Sequence, residues 1–319
     1  MTGRVSVTQQ ATRDAVRASL EGRRTELGAV IFRILLLVML LSSLLILVVL
    51  LADILSGAWP TLRDRGLGFV TSGLSLNPET AGVWTGIIGS LAIAAFVIVL
   101  AIPVGVGAAV YLEEYAPDNR LTRWIDTAVR NLAGVPSIVF GLLGLTMFVA
   151  LVNGIGLGGS TEGRNVIAAG ITMAALVLPI VIITSAEAIR AVPATIREAG
   201  YGVGATKWEV IRSHVIPSAF PGILTGTVLT LARAFGETAP LLVIGVATGF
   251  FSASADATFY DNLTGPYTAL PVIVFSWSRQ TDPAFAATLA PAAITVLLVI
   301  LFALNGVAIY FRNRFEKRW

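Results

Sequence analysis

The chain of 319 residues is 55% apolar and only 13% charged, with a net charge of +3 and a mean hydropathy of +0.82. A soluble domain carries roughly 25% charged residues, so this chain lacks the charge to cover a water-facing surface and is expected in a membrane. With no cysteine and one histidine, His214, disulfides and thiolate metal sites are excluded, and a zinc or iron site would have to be nearly all carboxylate, whereas the acids are scattered.

In chain order, residues 1–29 are polar and arginine-bearing, and are expected to form a cytoplasmic tail. Residues 34–52 are almost pure Leu, Val and Ile. A signal peptide has an apolar core of about 7–15 residues near the terminus; this run is longer and follows a long tail, so a retained helix is expected. Apolar segments follow at 85–111, 135–152, 166–186, 223–247 and 285–311, each near the roughly 20 residues needed to cross a bilayer. The third is the shortest and can extend back into 127–133. About six spans result, in an all-α permease domain over 30–319.

The positive-inside rule orients them. With the N-terminus inside, the cytoplasmic stretches hold Arg4, Arg13, Arg17, Arg23, Arg24, Arg33, Arg120, Arg123 and Arg130. They also hold Arg190, Arg197, Lys207, Arg212, Arg312, Arg314, Lys317 and Arg318, against Arg63, Arg65, Arg164 and Arg279 outside. Both termini are therefore expected in the cytoplasm. The outer segments 57–82 and 250–282 have some body. Trp277, Phe251, Tyr260 and Tyr267 in the second suit an interfacial aromatic belt, or a docking surface for an extracytoplasmic partner.

Residues 191–222, between the fourth and fifth spans, form the informative loop. Pro193 suits a first helical position. Gly200, Gly202 and Gly204 permit a tight turn, and Thr206 with Glu209 forms a capping box that starts a second helix. Pro217 and Pro221 are expected to end that helix and lead into the membrane. The result is a helix–turn–helix knob. Nearby, Glu187 and Arg190 read as a solvated i, i+3 pair, His214 as an ordinary loop residue or an ATPase contact, and Gly222-x-x-x-Gly226 as a close helix contact that weakly favours a permease dimer. No G-x-x-x-x-G-K-[ST] loop is present, since the glycine-rich stretch 154–163 lacks the lysine.

Glu198-Ala199-Gly200, then Gly204-Ala205 and Ile216-Pro217, resembles the EAA motif of ABC-importer permeases, E-A-A-x(3)-G-x(9)-I-x-L-P. Gly200 stands for the second Ala and Ile216 for the Leu, changes that keep size or apolarity. The stretches 103–115 (PVGVGAAVYLEEY), 131–145 (NLAGVPSIVFGLLGL), 204–208 (GATKW) and 232–242 (ARAFGETAPLL) are similar to phosphate-specific permeases. GETAPLL and the Ala269-Leu270-Pro271 triplet resemble the A-type subunits of that family more than their C-type sisters. The resemblance covers about residues 85–311. It implies a type I (MetI-like) importer fold whose loop, including Lys207 and Trp208, couples to a separate ATPase. It further implies a C-type sister permease, two copies of a P-loop ATPase, and an extracytoplasmic phosphate-binding protein. ATP and Mg would sit on the ATPase, with no cofactor on this chain. Membrane lipid is expected as a partner and nucleic acid is not.

Arg233 is the one basic residue read as lying inside an apolar span, with Glu237 one turn later. An Arg at mid-bilayer costs about 2.5–3.5 kcal/mol on insertion scales, so it needs a partner or a wet cavity. Its planar fork suits phosphate. The pair can line the substrate path, or it can be structural or bond the sister subunit. Competing readings are a permease for molybdate or sulfate, an ion-coupled secondary transporter, and a membrane-embedded enzyme. The last lacks any cluster of His, Cys or acids near a helix end.

Overall fold

A computed structural model describes residues 27–245 and 259–315. The N-terminal tail as far as residue 26, Phe251, and the basic residues Lys317 and Arg318 lie outside the described residues. Six helices among these residues are long and apolar enough to cross a membrane: Leu27–Arg65, Trp84–Tyr115, Ser137–Gly154, Val166–Arg190, Lys207–Gly236 and Phe285–Arg314. They are the first to sixth spans. The chain divides into two compact units at Asp53 and Ile54. In the first unit every described residue is exposed. The second unit holds the packed helices.

The fourth span is the centre of that unit. Asn165 caps it by accepting from the Ile167 and Ala168 amides, and it packs against the second, third and fifth spans. Lipid tails supply no hydrophobic drive between helices, so close approach at small residues carries the packing. A methyl on Gly105 of the second span would come within 2.5 Å of Val181, and one on Gly222 of the fifth within 2.7 Å of Ala188. Gly226 likewise faces the Thr184 side chain. The Gly222/Gly226 pair thus serves a contact inside the chain, which corrects its reading as a permease-dimer signal.

The third span does not extend back into 127–133. Asn119 caps a separate amphipathic helix, Arg120–Ala133, by accepting from the Thr122 amide, and Pro136 restrains Val135 from the helical region. That helix leaves Leu121, Trp124 and Leu132 exposed. Its Arg130 is held above its ordinary pKa by the hydrogen bond to Asp126.

Two further expectations are corrected. Tyr267 and Trp277 form no surface belt: both are buried. Trp277 closes the short helix Leu270–Trp277, which packs against the second and sixth spans, and its ring lies 6.2 Å from Phe69 and 5.6 Å from Phe285. Tyr260 is exposed. The fifth span, expected over 223–247, instead runs from Lys207 to Gly236 without a break. Pro217 and Pro221 lie inside it. A π turn at Ile211–Val215, closed by the Ile216 amide on the Ile211 carbonyl, puts Pro217 at the start of the next α segment. The Thr225 hydroxyl bonds the Pro221 carbonyl at 2.9 Å. Local π turns are one way in which membrane helices absorb proline.

Candidate functional site

The knob begins with the helix Ala194–Gly202, with Pro193 as its cap rather than its first residue. The helix ends in a Schellman turn. The Ala205 amide bonds the Gly200 carbonyl at 3.1 Å and the Gly204 amide bonds the Tyr201 carbonyl at 3.0 Å. Gly204 takes φ +85°, the left-handed conformation such a turn requires. The second helix then starts on the expected capping box. The Thr206 amide donates to Glu209 at 2.8 Å, and the Glu209 amide donates to the Thr206 hydroxyl at 3.4 Å.

Gly200 is not a turn residue. It is buried where the two helices cross, and a methyl there would meet Val210 at 2.7 Å. Val210 and Val215 pack with Ile189 and Val192 beneath the knob. On its outer side Glu198, Ala199, Lys207 and Trp208 are exposed, and Ala205 is half-buried. Ile216 and Pro217 lie on the continuing helix, roughly 14 Å along its axis from Lys207, and so stand apart from the tip. Tyr201 and Val203 join the tip at 44% and 86% exposure, beside Trp208 at 54%. The motif treats both as arbitrary positions; the signal that could have found them is three apolar side chains in an otherwise polar stretch. His214 lies exposed on a helical turn, not in a loop.

A set of contacts under the knob escaped sequence reasoning. The second span ends in a π turn, Tyr111–Tyr115. Glu113 takes Arg190 in a two-point ion pair, with Arg190 Nε donating at 3.2 Å, which corrects the pairing of Arg190 with Glu187. Glu114 accepts from Arg197 Nε at 3.0 Å and Nη2 at 2.7 Å. Arg197 also donates to the carbonyls of Val192 at 2.7 Å and Ile189 at 3.0 Å, capping the fourth span's end. Lys207 Nζ sits 5.2 Å from the Tyr115 ring centroid, a cation–π contact. The hydrogen-bonded pairs are 77 and 83 positions apart, beyond the reach of local spacing.

Arg233 lies in the last turn of the fifth span, roughly 39 Å along the helix from Lys207. Glu237 is the cap residue, with extended backbone (φ −83°, ψ 116°). Arg233 Nε stands 3.5 Å from Glu237 Oε1, with the two side chains 43% and 21% exposed. The pair forms across the helix end, not along a mid-span face, and the C-terminal dipole adds to the carboxylate in stabilising the cation. Beyond it the chain turns into the short helix Ala239–Ile244, whose Pro240 packs on Gly141 of the third span.

Several spans around a central helix, with a protruding helix pair continuous with one span, define a multi-pass transport permease. The chain belongs to the family described as binding-protein-dependent transport system inner membrane component, whose model matches residues 101–318. Among its relatives, Phosphate transport system permease protein PstA 1 of Mycobacterium tuberculosis (strain CDC 1551 / Oshkosh) is 34% identical over 221 residues, covering 69% of this chain and 67% of that one. Phosphate transport system permease protein PstC of Mesorhizobium japonicum is 31% identical over 290 residues, covering 83% and 84%. A chain of the inward-facing MetNI methionine ABC transporter superposes with a TM-score of 0.54 at 16% identity, over 74% of this chain and 95% of that one, which establishes the fold as that of a MetI-type permease.

Proposed function

We propose that this chain is the A-type permease subunit of an ATP-driven importer of inorganic phosphate, with both termini in the cytoplasm. The observation that carries the reading is the knob. A capped and turned helix pair exposes Glu198, Ala199, Tyr201, Val203 and Trp208, and its second helix continues unbroken to Arg233. An exposed apolar cluster rimmed by polar groups is a protein-docking surface. The partner that fits is an ATPase subunit, two copies of which hold ATP and Mg. This chain carries out no covalent chemistry.

The sister permease completes the path, and an extracytoplasmic binding protein delivers the cargo. Closure of the ATPases moves the knob, and alternating access follows as the helices shift together. The knob lies in sequence among the arginines that the positive-inside rule assigns to the cytoplasm, which supports the orientation. Phosphate is supported by the relatives named as phosphate transport permeases, and the A-type assignment by GETAPLL at 236–242.

Arg233 supplies the chemistry. Held through Nε by Glu237, its guanidinium keeps the Nη edge for two oxygens of a passing phosphate, and the nearby carboxylate prevents retention. Glu237 takes the guanidinium back between cycles. The test is phosphate uptake by an assembled complex carrying Arg233→Gln. Hydrogen bonds to charged groups contribute about 1.5–3 kcal/mol, so uptake should fall roughly tenfold or more with assembly intact. Unchanged uptake would remove Arg233 from the path, and equal competition by sulfate or molybdate would overturn the choice of cargo.

A further inference from the structure

Three consecutive residues at the end of the second span each hold a basic side chain from a different stretch of chain. Glu113 holds Arg190 of the fourth span, Glu114 holds Arg197 of the knob's first helix, and Tyr115 lies under Lys207 of its second. The middle contact is unlike its neighbours. In the first pair Arg190 is 57% and Glu113 17% exposed, whereas the Glu114 and Arg197 side chains are 6% and 21% exposed, and Arg197 also holds two backbone carbonyls. Solvent reaching one partner weakens a pair. A pair out of water is different: removing one member strands a buried charge.

We propose that Glu114 is the positioning residue of the coupling knob, tying it to the second span so that force applied there reaches the second and fifth spans together. The proposal rests on the reading of the chain as an ATP-driven permease. The knob already has one rigid route into the membrane, its second helix, which becomes the fifth span. Its first helix has no such route. It is joined to the fourth span through residues 191–193 and to the second helix through the Gly204 turn, neither of which continues a helix.

Arg197 closes that gap. One guanidinium grips the fourth span's terminal carbonyls and the Glu114 carboxylate at once. The second and fifth spans both pack closely on the fourth, through Gly105 against Val181 and Gly226 against Thr184, three residues apart on the same helix. With the clasp closed, knob and three spans form one body. With it open, the first helix deflects at its joints when pushed.

The test compares Glu114→Gln with the unmodified complex of both permeases, ATPase and binding protein in proteoliposomes. Uptake per ATP should fall roughly tenfold, as expected for loss of a buried charge pair, while ATP hydrolysis continues. Asp118→Asn, which breaks the Asp118–Arg123 pair exposed on both sides, should leave that ratio within about twofold. A Glu114→Gln complex with an unchanged ratio, whether or not both rates fall, overturns the proposal. Should the variant fail to assemble, amide hydrogen exchange of residues 194–205 in the purified chain decides: faster exchange is expected, and unchanged exchange overturns the clasp. An unmodified complex that transports without hydrolysing ATP would defeat the transport reading, and the exchange comparison would still decide the clasp.

Discussion

Gly202 and Gly204 stand two residues apart in the knob and carry opposite demands. Gly202 closes the first helix with open space around its α-carbon, whereas Gly204 holds φ +85°. An alanine at 202 loses less entropy on folding and should stabilise by about 0.4–1 kcal/mol. An alanine at 204 meets the left-handed penalty of about 1–2 kcal/mol. Hydrogen exchange of the knob amides should therefore slow in Gly202→Ala and quicken in Gly204→Ala. The same sign in both would contradict the assigned turn. Sequence placed three glycines in the turn because each permits one; only the backbone shows that Gly204 is required, and that Gly200 is there for Val210. Arg233 and Glu237 were legible as a pair from their spacing. Their position at a helix end was marked by Gly236 and Pro240, but the apolar residues on both sides read as one continuous span, which hid the break.

At the scale of elements, the decisive feature is the unbroken helix from the knob to Arg233. Two prolines at 217 and 221 argue for a break in any water-soluble helix. The π turn at Ile211–Val215 absorbs Pro217 here, and it leaves no mark in composition. A rod transmits displacement and a hinge dissipates it. Two glycines inserted after Ile216 should therefore leave ATP hydrolysis by the complex in place while phosphate uptake is lost. Uptake close to the unmodified rate would show that the rod is not the coupling element. The capping box was readable in advance, because Thr206 and Glu209 make their contact within one turn. The Glu114–Arg197 pair was not, since it joins elements 83 positions apart.

For the whole molecule, hydropathy alone located six spans to within a few residues at most ends, because burial in lipid demands long apolar runs. It failed where apolar sequence serves another purpose. The helix Leu270–Trp277 is too short to cross and packs inside the protein, so its aromatic end reads as a surface belt until its neighbours are seen. The family follows from the match over residues 101–318, and the fold from the likeness to a MetI-type permease. What drives the cycle is the central claim. Proteoliposomes holding this chain with its sister permease, ATPase and binding protein should take up labelled phosphate when supplied with ATP inside the knob-facing compartment, with or without a proton gradient. Uptake driven by a proton gradient with no ATP present would contradict it.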